Sequence, residues 1–228
     1  MPAAVLGSLA AAGLCVAASP YLAKLTLSVP DRDERRWWIG RPAGRARVLV
    51  TGVTGVVLGG LAGAAAGWSA LLPAFLALAL LGTPLSVIDF EWHRLPDRLV
   101  RLAAVGALAL LAVAAAVRQD RDPYLRAIEG AAAVFAVLFL IFFASPRAFG
   151  LGDVKLATVL GGYLGWHSWF AVFYGIFAGF LLGTVVALVF VATRRASLKT
   201  ALAFGPMLLL GALLVLAFDL TPSLVSTP

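Results

Sequence analysis

The chain has 228 residues, of which 62% are hydrophobic and 13% charged, with a formal net charge of +7. A mean hydropathy of +0.98 excludes an ordinary soluble globular domain and points to integration in a lipid bilayer. The single cysteine, Cys15, excludes an internal disulfide and a thiolate zinc cluster, and the placement of the positive charge between apolar runs speaks for membrane orientation rather than for nucleic acid.

Crossing a hydrocarbon core of about 30 Å takes about 20 mostly apolar residues. Hydropathy predicts about eight spans, at roughly 2–28, 49–66, 69–88, 99–117, 127–144, 154–166, 168–192 and 200–218. The first is read as a span rather than a cleaved signal, because no Lys or Arg precedes it and its apolar run is long. The arginine-rich PDRDERRWWIGRPAGRAR follows at 30–47, where Trp37 and Trp38 fit an interfacial belt. In the second span Gly55, Gly59, Gly60, Gly63 and Gly67 are spaced for close helix packing, with no need of a nucleotide-binding loop. The expected fold class is all-α, a polytopic integral membrane helical bundle. Residues 1–228 form a single membrane-embedded domain, since little chain remains between spans.

Charge then orients the bundle. The connections after spans one, three, five and seven carry Arg32, Arg35, Arg36, Arg41, Arg45 and Arg47, then Arg94, Arg98 and Arg101, then Arg147 and Lys155, then Arg194, Arg195 and Lys199. The opposite side has Arg118, Arg121 and Arg126. The positive-inside bias places the N-terminus outside and those four connections in the cytoplasm.

Most acidic residues fall in polar connections, where solvation is sufficient explanation. Asp89 differs, because it ends the apolar run LLGTPLSVI. The EWHRLPDRL that follows is a short polar stretch in which Pro96 limits helix propagation and Asp97 is expected to cap the next helix. Glu91 and His93 read as solvated loop residues. Asp153 lies in FGLGDVKLA, preceded by Gly150 and Gly152, at the predicted start of a span. Those glycines permit unusual backbone angles or the close approach of another chain. Asp89 at a helix C-terminus and Asp153 at a helix N-terminus meet opposite ends of the helix dipole. Two nearby carboxylates in unlike environments can share one proton, one acting as base toward water while the other donates to a carbonyl. The residues alone leave three readings: a paired catalytic site, an ion-coupled transporter using the same aspartates, and plain interfacial caps. Other chemistries lack support. HExxH and GxSxG are absent, Cys15 has no histidine partner, and His93 and His167 are predicted on opposite sides.

At these positions the chain resembles the bacterial type IV prepilin peptidases, GxGD-type membrane aspartic peptidases. Asp89 within IDFEWHRLPDRL looks like the family's aspartate followed by a polar stretch and a Pro-Asp pair, and GLGDVKLA from Gly150 to Ala157 matches its second motif. Phe204, Gly205 and Pro206 resemble a further, weaker patch. The Tyr-Asp and Pro-Ala-Leu motifs of presenilin-like enzymes are not found. The resemblance implies Asp89 and Asp153 as catalytic residues, no cofactor or metal, and an inner-membrane enzyme with a cytoplasm-facing site. The implied substrate is a prepilin or pseudopilin with a basic leader followed by a hydrophobic helix, in type IV pilus assembly or protein secretion. Glu91 and Asp97 are candidates to offset the repulsion between the arginine-rich loops and that leader, and Lys155 to contact substrate or tune Asp153. An archaeal-type preflagellin peptidase is the neighbouring alternative, with the same mechanism and a different substrate. The larger bifunctional relatives carry paired CxxC motifs after the first span; here that connection has no cysteine, so methyltransferase activity does not carry over.

Overall fold

Small residues decide where the helices of this protein touch. The computed structural model describes residues 3–30, 36–145, 150–193 and 203–220. Among them are α1 (Ala3–Ser28), α2 (Arg45–Ala66), α3 (Leu72–Trp92), α4 (Asp97–Arg118), α5 (Asp122–Ala144), α6 (Leu151–His167), α7 (Trp169–Ala192) and α8 (Gly205–Ala217), with one 3-10 turn at Trp37–Ile39. The most intimate packing is within three antiparallel pairs, α1 with α2, α5 with α6, and α7 with α8. Each pair is seamed by glycine. A Cβ on Gly59 would lie 2.8 Å from the Ala11 carbonyl oxygen, one on Gly130 2.7 Å from that of Gly161, and one on Gly179 2.8 Å from Leu208 Cα. Lipid tails are as apolar as leucine, so in a bilayer such close backbone contact supplies the packing attraction that burial supplies in water. Cys15 is buried in the first seam against Gly55 and Gly59, as its apolar setting predicts.

Eight helices therefore stand where eight spans are expected, but six of them, α1 to α5 and α7, are long and apolar enough to cross a membrane. The expectation of about eight transmembrane helices is corrected in α6 and α8. Their 17 and 13 residues reach only about 26 and 20 Å, against about 30 Å of hydrocarbon. Both are enclosed by the longer helices. Of α8, all but Leu210 and two other positions are buried, and α6 is buried almost continuously from Val154 to Trp166. A helix surrounded by protein need not match the bilayer, because its ends meet side chains rather than lipid. The basic residues Arg32, Arg35, Arg147, Arg194, Arg195 and Lys199 lie outside the described residues.

One end of the bundle holds two ion pairs. Arg47 at the start of α2 donates to Thr26 near the end of α1 and makes a two-pronged pair with Glu91 in the last turn of α3, at 2.8 and 2.9 Å. Lys155 in α6 pairs with Asp97 at the start of α4, at 2.6 Å. The opposite end holds His167, whose ring packs edge-on against Phe75 in the first turns of α3, about 27 Å along that helix from His93.

Substituting Gly130 by Leu should destabilise the protein by about 1–3 kcal/mol, because the side chain must enter a backbone-to-backbone contact. Gly60→Ala, which faces open space, should leave the midpoint unchanged. Thermal unfolding in detergent micelles distinguishes the two.

Candidate active site

The chain reverses sharply after α3, and that reversal builds the site. α3 continues four residues beyond the apolar run and ends at Trp92, so Asp89 occupies its last turn rather than following it. His93 takes a left-handed conformation (φ 48°) and donates its N–H to the Asp89 carbonyl at 2.8 Å, a common way to close a helix. The turn sends Leu95 back into the protein while Arg94 on one side and Asp97 on the other remain exposed. Pro96, with its fixed φ, stands at the N-cap of α4. Asp97 is thus the first residue of α4, held by Lys155, and is not the cap that its position suggested.

Asp89 is 3% exposed. Its Oδ2 accepts a hydrogen bond of 2.9 Å from the backbone N–H of Gly205, the first residue of α8. The opening N–H groups of a helix have no partner within it and carry the positive end of the dipole. Asp89 serves as a cap supplied by another helix. Gly205 is the residue this contact requires, since a Cβ there would lie 3.0 Å from Asp89 Oδ2 and 3.2 Å from Leu95 Cδ2. The weak FGP resemblance thereby acquires a place beside Asp89, a role that sequence reasoning had not assigned it.

Asp153 sits three residues into α6, whose N-cap position is Gly150. Its carboxylate turns back to accept from the Gly150 backbone N–H, the acidic half of a capping box. The two glycines of the GLGD motif divide the labour. Gly150 lies against the carboxylate, where a Cβ would be 3.0 Å from Oδ2, and Gly152 lies against Leu95, where a Cβ would be 3.1 Å from Leu95 Cβ. Neither has a positive φ, so of the two explanations for them close approach holds and unusual backbone angles do not.

Asp89 and Asp153 come to the same end of the bundle, and the charge of Asp89 acts on Asp153. Leu95 packs close to both, against Gly152 next to one acid and Gly205 beside the other. Just outside lies a polar cavity of about 540 Å³, lined by Ile88, Leu95, Gly152, Lys155 and the arginines 94, 98 and 101 among others. Glu91, Asp97 and Lys155, candidates from the sequence for contact with substrate or tuning of the site, and His93, read as a solvated loop residue, fall into place differently. Glu91 is tied to Arg47 and Lys155 to Asp97, and His93 closes the helix.

Two carboxylates are thus presented by separate helix ends near a polar cavity whose lining includes their chain neighbours Ile88 and Gly152. Such a pair can hold a water between them and pass a proton from one to the other.

The model of the type IV leader peptidase family matches residues 76–188, a stretch that includes both aspartates. A prepilin leader peptidase/N-methyltransferase of Pectobacterium carotovorum subsp. carotovorum is 34% identical over 150 residues, covering 63% of this chain and 49% of that protein. One of Dickeya chrysanthemi is 31% identical over 144 residues, covering 61% and 48%. The chain thus spans about half the length of the curated relatives it matches. No solved structure matches it. The family match over residues 76–188 and these two relatives support assigning the chain to the type IV leader peptidase family.

Proposed function

We propose that residues 1–228 act as one membrane-embedded aspartic endopeptidase that removes the leader of prepilin-like or pseudopilin-like substrates at the cytoplasmic face of the inner membrane. The observation that carries this reading is the meeting of Asp89 and Asp153 at one bundle end, in electrostatic contact and beside a polar cavity. The family match supports the peptidase class over an ion-coupled transporter. The positive-inside count supports the cytoplasmic orientation.

In the proposed reaction, one carboxylate, ionised, takes a proton from a water held between the pair. The other, protonated, donates to the scissile carbonyl oxygen as the water attacks. The resulting gem-diol collapses when the amine leaves with a proton returned by the first carboxylate while a hydroxyl proton passes back to the second, restoring the pair. Neither role is fixed to one residue, since a closely coupled pair titrates as a unit. The Gly205 N–H restrains Asp89 in orientation, and Gly150 restrains Asp153. Leu95 stands where a substrate backbone would approach, so binding includes its displacement. The connection between α1 and α2 has no cysteine, and the proposed activity is cleavage without N-methylation.

Coexpression with a prepilin-like substrate, followed by a cleavage assay, tests the pair. Asp89→Asn and Asp153→Asn should each lower cleavage by about a thousandfold or more, as loss of an acid–base group does. Normal cleavage by either folded variant would sink the two-aspartate mechanism. Asp89→Asn keeps an oxygen that can accept from Gly205 and should fold normally. Asp89→Ala leaves that buried N–H unpaired and should cost about 1–3 kcal/mol in thermal unfolding.

A further inference from the structure

Two hollows meet beside the proposed catalytic pair. One is the polar cavity already described. The other is an apolar groove of about 270 Å³ between α4 and α5, floored by α6. α4 and α5 are joined by only residues 119–121, yet they splay apart and scarcely touch along their length. Arg101 and Lys155 line both hollows, which makes them one trench. Helical periodicity explains its course. On α6, Gly152, Lys155, Val159 and Gly162 fall on one face, leading from the cavity into the groove.

We propose that this groove receives the apolar helix of the peptide substrate, the segment following the cleaved bond, while the extended residues at the bond lie in the polar cavity. The inference rests on the peptidase reading above. A substrate cut at the membrane edge must pass from water into lipid across the catalytic pair, and this trench makes that passage. From Lys155 to Gly162 the groove runs about 10 Å, or two turns of a docked helix. A second apolar groove, between α5 and α7, has about 390 Å³, no charged lining and no lining residue in common with the polar cavity beside the two acids. It suits lipid chains and supplies the control.

The test uses the full chain in lipid vesicles with a helix-bearing substrate that the wild type is shown to cut. A photo-crosslinking benzoylphenylalanine replaces either Leu108, 50% exposed in the first groove, or Val137, 57% exposed in the second. Each is placed in the Asp153→Asn background to hold substrate uncut. Adducts to the substrate helix should form at 108 about tenfold more than at 137. In parallel, Ala104→Trp with Ala131→Trp should raise KM for that substrate about tenfold with kcat retained, the pattern of lost ground-state binding. Ala133→Trp in the second groove should change neither. Equal adducts at both positions, lipid adducts alone at 108, or a filled groove with unchanged KM would overturn the groove while leaving the peptidase standing. A wild type that cuts no prepilin-like substrate would overturn both.

Discussion

A carboxylate enclosed in a helical bundle needs a donor, and the donor here is the first N–H of a helix that begins inside the protein. The Asp89–Gly205 hydrogen bond joins two elements 116 residues apart in the chain, and much of the architecture conforms to it. α8 is short because it starts at the depth of Asp89. It is buried because a helix start at that depth must be surrounded by protein rather than lipid. Proline as its second residue has no N–H to be left unpaired, which reduces the number of orphan donors that the site must satisfy.

The same economy of space governs the other acid. Four glycines determine what reaches what: Gly150 and Gly152 on α6, Gly205 on α8, and Gly82 one helical stretch below Asp89, where a Cβ would lie 3.2 Å from Leu209 Cδ2. A Cβ at any of these positions would crowd the side chain it faces and force it to give way. Leu95 fills the remaining gap. Its burial beside exposed neighbours closes the interior near the acids with an apolar group.

Much of this was legible in the sequence, and the failures have identifiable causes. Hydropathy located every helix within a few residues, because apolar runs and charged breaks are strong signals in a membrane protein. It could not tell a helix that spans from one that is merely enclosed, since both are apolar; α6 and α8 were overcounted for that reason. Asp89 and Asp153 stood out through their position at the ends of apolar runs, and the glycines of GLGD through their flanking motif. Gly205 was visible only as part of a short FGP patch. Its function is a backbone N–H directed at a distant carboxylate, which leaves no residue pattern beyond the absence of a side chain. Asp97 was misread as a cap because Pro-Asp ahead of an apolar run permits either register. The packing of Leu95, one apolar residue among polar neighbours, has no periodicity to announce it.

The ion pairs alter how substrate recognition must work. Glu91 and Asp97 are engaged by Arg47 and Lys155, so they do not stand ready to neutralise a basic leader. Each pair is partly exposed and contributes about 0–1 kcal/mol, too little to explain the fold. What they provide is the registration of α2 on α3 and of α4 on α6, at the two sides of the cavity. With those acids paired, neither supplies a carboxylate ready to attract a basic leader. Nor can the apolar groove select a helix by hydrophobicity, because surrounding lipid is equally apolar and only shape and van der Waals fit distinguish protein from tails. In the proposed reading, alignment is therefore the principal service of the trench. Holding an otherwise freely diffusing helix so that the bond lies at the carboxylates converts an encounter in the membrane plane into an intramolecular step, where orientation alone is worth several kcal/mol.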